Sequence, residues 1–330
     1  MLPRLIPHKK LYEGMLIVGS GELAEKLHHR LGIGDSSPEP HSNGMARFPD
    51  SLAASGSVTD FSHLQEILLR DRISRVIVAE QDAQNRTRLA ATLVTPRLCG
   101  LVVNDAVDFY EQFFGKIWID GLSSEWFVYT SGFSQSKLSL FVKRCFDVLF
   151  VLLLILAVPL LLLIALAIKL ESHGPVLFRQ TRVGLHGRTF TIYKFRSMRL
   201  DAESLAGPVW AKECDERVTR VGRMLRRFRL DEIPQAINVL RGEMSLVGPR
   251  PERPYFMDQL AREIPFYNLR HCVKPGITGW AQVKYQYGAS VEDAFEKLQY
   301  DLYYAKHRSF VCDTEILLRT IEIVLFGRGR

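Results

Sequence analysis

The sequence predicts a mixed α/β chain in three parts: a parallel βα module, an apolar segment that dips into a membrane, and a small α+β domain beyond it. Three observations predict this. Strand-like runs alternate with helical patterns as far as about residue 133. An uninterrupted apolar run, Val148–Ile168, follows, with one proline, Pro159, near its centre. Beyond the run, cations crowd around a short acidic pair. The chain has 330 residues, room for about two domains. Its net charge of +7 fits anionic partners such as phosphorylated ligands, nucleic acid or an acidic lipid surface. The five cysteines are scattered, without a CxxC pair or a zinc-like His spacing, so disulfides are not expected and a reducing compartment is the simpler reading. The opening MLPRLIPHKK has no long apolar stretch after its basic residues and does not read as a secretory signal.

The module comes first, residues 1–133. Met15–Val18 is a short buried-strand pattern. Gly19-Ser20-Gly21-Glu22-Leu23-Ala24 and a helical stretch to about Leu31 follow. A Ser-, Pro-, Asn- and Gly-rich loop runs from Gly32 to about Ser57. Then come a helical pattern over Phe61–Arg70, a strand at Arg75–Ala79, a polar helix near Ala83–Leu93 and a strand at Gly100–Val103. This alternation predicts parallel βα units. A strand, GxGxxA and a helix form a dinucleotide-binding pattern, but the region that should supply an acidic ribose ligand is Ser/Pro/Asn-rich instead. The preferred reading is a Rossmann-like module whose glycines only make a tight turn.

Residues 134–170 carry the apolar run. A spanning helix needs roughly 20 apolar residues, and Val148–Ile168 just meets that. Both flanks are positive, however: Lys143 and Arg144 before it, and Lys169, Arg179, Arg182 and Arg188 after it. Positive flanks favour the cytoplasmic face, so two of them argue for entry and exit on one side. Pro159 leaves two arms of about ten residues, each covering roughly 15 Å or half the hydrocarbon thickness. A re-entrant helix bent at Pro159 satisfies both facts. An ordinary spanning helix with a tolerated proline is the alternative.

Residues 171–330 carry the chemistry. Val183–Met198 alternates like a hairpin and is rich in cations. Arg217, Arg220, Arg223, Arg226, Arg227 and Arg229 follow at mixed helical spacings. Then Leu230-Asp231-Glu232-Ile233-Pro234-Gln235 leads into a helical AINVL. Pro234 fits a first helical turn, which puts Asp231 and Glu232 at a helix N-terminus, where acidic side chains often only cap free N–H groups. The neighbouring arginines and the Gly248-Pro249-Arg250-Pro251 segment point instead to a phosphate site. Two carboxylates there suit Mg²⁺, which binds one or two carboxylates together with substrate phosphates. A carboxylate can also act as a nucleophile on phosphorus. Ile316–Phe326 is largely apolar with Arg328 and Arg330 beyond it. It reads either as an amphipathic helix on the membrane surface or as one packed on the domain.

From Lys143 onward, the blocks KRCFDVLF, GPVLFRQTRVGLHGRTFTIYKFRSM, RRFRLDEIPQAINVLRGEMSLVGPRPERP, RHCVKPGITGWAQV and YDLYYAKHRS resemble, in order, the bacterial sugar transferase family, the monotopic polyprenyl-phosphate phosphoglycosyl transferases. The resemblance implies transfer of a phosphosugar from a nucleotide sugar, UDP-linked by expectation, to undecaprenyl phosphate, with release of the nucleoside monophosphate. It implies a re-entrant helix bent at a proline and a monotopic protein on the cytoplasmic face of a bacterial inner membrane, with inner-membrane lipid as a partner and room for a homodimer. By the same resemblance Asp231 is the nucleophile that forms a phosphosugar-enzyme intermediate, and Glu232 its partner carboxylate holding Mg²⁺. Lys194 and Arg196 in YKFRSM, Arg226, Pro249 and Arg250 in the PRP motif, and Arg270 resemble the groups that bind the diphosphate. His271 completes the RH pair. Asp301 matches an acidic position to which no role is assigned. Trp280 and Tyr303 read as core or interface anchors.

Larger members carry four spanning helices before their Rossmann-like module; this sequence opens almost directly on the module, so those helices are not expected. The segment WAQVKYQYGASVEDAFEKLQYDLYYAK is similar to members encoded with exopolysaccharide export systems, which implies the first membrane step of exopolysaccharide synthesis. Two other readings stay open: a membrane-anchored nucleotide-binding regulatory protein that depends on Gly19 and Gly21, and a nucleic-acid binder using the arginine cluster. Nothing in the sequence resembles a reading helix, so nucleic acid is not an expected partner.

Overall fold

A computed structural model gives the fold and describes residues 15–19, 22–30, 64–120, 122–199, 217–285 and 290–326. Ser20, Gly21, the Gly32–Ser57 loop, Phe61, Cys214, Arg328 and Arg330 lie outside the described residues. The chain forms two compact units, Met1–Trp118 and Ile119–Arg330.

In the first unit, three short strands make a parallel sheet in the order β1-β2-β3: β1 (Met15–Val18), β2 (Arg75–Val78) and β3 (Val102–Asp105). Parallel strands are covered on both faces, which is why MLIV and RVIV read as continuous apolar runs. Alternation sends Ile17 and Ile77 into one core with Leu23, Leu27, Phe109, Tyr110 and Trp118. It sends Leu16, Val18 and Val76 into the other with Leu64, Leu68, Leu89 and Leu93. The helices are α1 (Glu22–Arg30), α2 (Leu64–Arg70), α3 (Ala83–Leu98) and α4 (Ala106–Phe114). Asp82 caps α3 by accepting from the Asn85 amide, and Asp105 caps α4 from the Val107 amide. The third strand starts two residues later than its apolar pattern suggests, because α3 runs on to Leu98 and Gly100, at φ +105°, makes the turn. Gly19 has φ +136°, and a Cβ there would stand 2.3 Å from the Glu80 amide nitrogen. The glycine therefore lets the end of β1 lie against the end of β2.

In the second unit, α5 (Ser124–Tyr129) precedes the apolar segment, which forms α6 (Lys137–Leu153), a 3₁₀ turn (Leu154–Ala157) and α7 (Val158–Glu171). No single described helix is long and apolar enough to cross a membrane, and α6 and α7 turn by 66° at the break. The break falls just before Pro159, not on it. Proline lacks an N–H and its ring clashes with the carbonyl four residues back, so the turn before it must unwind while Pro159 itself fits the first turn of α7. Leu149, Leu152, Leu153, Leu156, Leu160, Leu162, Leu163 and Leu166 are exposed, while Val151, Ile164 and Ile168 are buried. Each arm therefore packs a narrow stripe and leaves the rest of its apolar surface uncovered.

The arms are clipped to the rest of the unit by polar groups. On α6, Lys143 pairs with Asp313, Arg144 donates to the Val239 and Leu240 carbonyls, and Asp147 accepts from Ser245 Oγ at 2.8 Å and the Leu246 amide. At the end of α7, Lys169 donates to the Gly174 carbonyl. Glu171 accepts from the Arg220 and Val221 amides. Four of the flanking positive charges, Lys143, Arg144, Lys169 and Arg182, thus also hold internal contacts.

Beyond α7, β4 (Leu177–Val183) and β5 (Thr189–Phe195) form an antiparallel hairpin that begins six residues before the expected Val183. Alternation turns Ile192 and Lys194 to one face of β5 and Phe195 to the other, where it meets Ile164, Ile168 and Leu225. Helix α8 (Arg220–Arg227), a 3₁₀ turn (Leu230–Gln235) and α9 (Ala236–Arg241) follow. Then come β6 (Ser245–Val247), α10 (Pro254–Glu263), a second 3₁₀ turn (Tyr267–Cys272), β7 (Gly276–Thr278), α11 (Trp280–Lys284), α12 (Val291–His307) and α13 (Phe310–Leu325). Strands β6 and β7 pair in parallel. Trp280 and Tyr303 stack at 5.9 Å within a core that includes Val151, Ile192, Val239, Met244, Leu246, Tyr304 and Ile316, as expected of anchors. Helix α13 packs on the domain along one side and leaves apolar residues exposed along the other. Asp313 and Ile316 are buried, while Phe310, Val311, Leu318, Ile321, Leu325 and Phe326 are exposed.

Candidate active site

The acidic pair sits on the first 3₁₀ turn, between α8 and α9. Arg229 opens that turn at φ +52°, a left-handed conformation costing about 1–2 kcal/mol for a residue with a Cβ. It reverses the chain after α8 and lays the turn along β5. The capping role open to Asp231 and Glu232 is not what their side chains do. Neither caps the turn or α9; both are buried.

The two carboxylates have different surroundings. Glu232 Oε1 accepts from Lys194 Nζ at 2.8 Å and from an Arg250 nitrogen at 2.8 Å. Arg250 and Lys194 overcome its burial and hold it far below the usual carboxylate range, so it stays ionised. Asp231 receives no hydrogen bond from the described residues. Burial, then the charge of Glu232, raises its pKa above the usual aspartate value, against Lys194, Arg226 and Arg250. One member of the pair is thus neutralised by two cations. The other keeps both oxygens open. Burial pushes Lys194 downward, with Glu232 opposing; Arg250 is held up chiefly by Glu232.

Three elements bring these groups together. Lys194 comes from β5. Arg226 comes from α8, where Gly222 allows the contact: a Cβ there would lie 2.0 Å from the Ser197 carbonyl oxygen. Arg226 Nε donates to Ser197 Oγ at 2.9 Å. Arg250 comes from the loop after β6. That loop crosses the KPGITG segment so closely that a Cβ on Gly276 would stand 2.1 Å from the Gly248 nitrogen. Pro249 is buried there, and its carbonyl accepts from the Gly276 amide at 2.9 Å.

Two of the expected phosphate ligands are engaged elsewhere. Arg196 is 6% exposed and donates to the carbonyls of Ile168, Ser172 and His173, capping the end of α7. Arg270 is 4% exposed. Asp301 takes its Nε at 3.1 Å and an Nη at 2.7 Å, Tyr267 Oη accepts at 2.8 Å, and the Arg250 carbonyl accepts at 3.0 Å. His271, next to it, is pushed down to about 4 by burial and then by Arg270, so it is neutral near pH 7.

Sequence reasoning missed several positioning groups. Arg182, counted only as a flank, is half-buried and donates to the Pro251 carbonyl at 3.1 Å; its partial desolvation pushes it down to about 10. Asn238 of α9 is fully buried and clips β5 by donating to the Thr191 carbonyl and accepting from the Tyr193 amide. An asparagine inside the apolar AINVL pattern was the available signal for it.

Among the described residues no group of three or more His, Cys, Asp or Glu side chains could hold a metal. Mg²⁺ needs fewer protein ligands than that, since it keeps waters and substrate phosphate oxygens. Asp231 and the second oxygen of Glu232 fit such a partial donor set.

The family model described as "Bacterial sugar transferase" matches residues 138–327. A UDP-N-acetylgalactosamine-undecaprenyl-phosphate N-acetylgalactosaminephosphotransferase from Aeromonas hydrophila is 50% identical over 195 residues, 59% of this chain and 46% of its own. An undecaprenyl-phosphate glucose phosphotransferase from Komagataeibacter xylinus is 36% identical over 345 residues, 97% of this chain and 60% of its own. An exopolysaccharide production protein from Rhizobium leguminosarum bv. phaseoli is 43% identical over 200 residues, 58% of this chain and 100% of its own. The chain thus spans about half the length of the first two relatives.

Proposed function

The chain belongs to the bacterial sugar transferase family, and on that basis we propose that it is a phosphoglycosyl transferase that moves a sugar 1-phosphate from a UDP-sugar to undecaprenyl phosphate. The observation that carries the reading is the unequal pair: a hydrogen-bonded, ionised Glu232 beside an Asp231 with no donor on its oxygens. A nucleophile needs free lone pairs, whereas a group that only orients cations does not. An Asp231 oxygen attacks the phosphorus that carries the sugar. The bond to the nucleotide phosphate breaks and uridine monophosphate leaves with the electron pair. An oxygen of undecaprenyl phosphate then attacks the same phosphorus, gives undecaprenyl-diphosphate-sugar, and returns the Asp231 carboxylate. Lys194, Arg226 and Arg250 face the growing negative charge at this point, where burial strengthens their effect.

Mg²⁺ held by Asp231 and Glu232 would supply charge neutralisation on the diphosphate. The names of the relatives, which pair undecaprenyl phosphate with a sugar donor, support the substrates. The name of the Rhizobium relative supports a place in exopolysaccharide synthesis. The test is release of nucleoside monophosphate by the purified chain across a panel of UDP-sugars, with undecaprenyl phosphate and Mg²⁺. Release with one or a few donors, abolished by a chelator, is the expected result. No release with any donor rejects the reading.

The uncovered leucines of α6 and α7 and their 66° bend support a re-entrant hairpin at the cytoplasmic face of the inner membrane. Single-cysteine labels beside Lys137 and Glu171 should both react from the cytoplasmic side. In Pro159→Leu, which restores the missing N–H and removes the ring clash, some of one label should move to the other side. Labels on opposite sides of the unsubstituted protein would reject re-entry. The parallel sheet of the first unit supports a Rossmann-like module with a structural or regulatory role.

A further inference from the structure

We propose that Asp301 is a positioning residue for the reaction: it holds Arg270 as a strut, and the strut fixes the backbone that aims Arg250 at Glu232. This rests on the function proposed above and gives Arg270 a different task from diphosphate binding.

Three successive carbonyls of the 249–251 loop are tied from three directions. Pro249 O accepts from the Gly276 amide, Arg250 O from Arg270, and Pro251 O from Arg182. Neither proline has an N–H to offer, so these carbonyl bonds do much of the work of holding a loop outside the strands. The middle tie is the most elaborate. Arg270 reaches Arg250 O only because Asp301 takes two of its nitrogens and Tyr267 the third, with both members of the ion pair almost wholly buried. Arg270 also lies 5.1 Å over the Tyr267 ring. With all three nitrogens engaged, its guanidinium is not available to a substrate phosphate. Arg250 is the opposite case: its side chain is 43% exposed, and it reaches Glu232. Asp301 and Arg270 thus supply rigidity from behind, and Arg250 does the contacting.

The experiment is a double-mutant cycle on monophosphate release by the full chain. Asp301→Asn keeps one acceptor oxygen but removes the charge, and should lower the rate by up to about 100-fold, the scale for roughly 1 Å of misplacement. In an Arg250→Ala background the same substitution should cost almost nothing more, since the aimed group is gone. Arg270→Lys, which keeps the charge opposite Asp301 but cannot reach three partners at once, should behave alike and serves if Asp301→Asn fails to fold. Losses that multiply in the Arg250→Ala background, or a rise in KM for the nucleotide sugar with Arg270→Lys alone, would overturn the strut. Hydrogen exchange separates this from a wrong reaction. Faster exchange over residues 248–252 is expected in Asp301→Asn even if no donor sugar is turned over, and unchanged exchange there rejects the inference. A wild-type chain inert on every donor rejects only the function.

Discussion

Asp231→Asn should abolish monophosphate release, by on the order of 10⁶-fold, while leaving the protein as stable as before or more so. The loss is of the size seen when a covalent nucleophile is removed and only binding and charge stabilisation remain. The unchanged fold is the more discriminating half. Asp231 is buried with no hydrogen-bond donor on its carboxylate among the described residues, and burial plus Glu232 raise its pKa. A carboxyl raised in the folded state burdens stability at every pH above its folded value, and the burden is relieved as pH falls toward its unfolded value. Asparagine has the same shape without the charge, so thermal unfolding at neutral pH should occur at the same or a higher temperature. The activity of the native protein should in turn fall on the acid side at a pH above the ordinary aspartate range, because attack needs the ionised form. Substantial activity in Asp231→Asn would sink the covalent mechanism, and a large drop in melting temperature would mean that Asp231 is structural.

Glu232→Gln should do the reverse to stability. Glu232 is the shared partner of Lys194 and Arg250, whose side chains are 16% and 43% exposed. Removing its charge leaves the largely buried Lys194 with only the more weakly interacting Asp231 to balance it. Loss of one partner from a buried pair costs about 3–5 kcal/mol, and the partial hydration of Arg250 puts the expected value near about 3 kcal/mol. The sign with pH follows from its lowered pKa. The stabilisation is present above the unfolded glutamate value and is lost only as pH falls through the much lower folded one. Chemical denaturation at neutral pH and near pH 4 should show the difference, and a Glu232→Gln protein as stable as the native one would refute the ion-pair role. Activity should fall as well, since Arg250 and Lys194 lose the group that orients them.

The first strand was legible to the residue at Met15–Val18, because a strand buried on both faces has no polar position to confuse the pattern. The acidic pair was legible from Asp231, Glu232 and Pro234 standing together in a basic neighbourhood. Its local geometry was not: Pro234 is as compatible with a 3₁₀ turn as with an α-helix, and the left-handed Arg229 that decides between them carries no compositional mark. The hairpin was found but started late, since β4 mixes polar, charged and apolar residues and only Val183 at its end is buried.

The sequence by itself determined the order of parts, the apolar run with its bend near Pro159, and the set of charged residues from which a phosphate site could be built. Only the tertiary structure decided what each charge does. Lys194 and Arg250 face Glu232, whereas Arg196 caps a helix, Arg270 is locked by Asp301, and Lys143 and Arg144 clip α6 in place. A cation on a strand or turn looks the same in sequence whether its partner is a substrate or a side chain far away along the chain. Whether it is free depends on desolvation and distance, which exist only once the chain has folded.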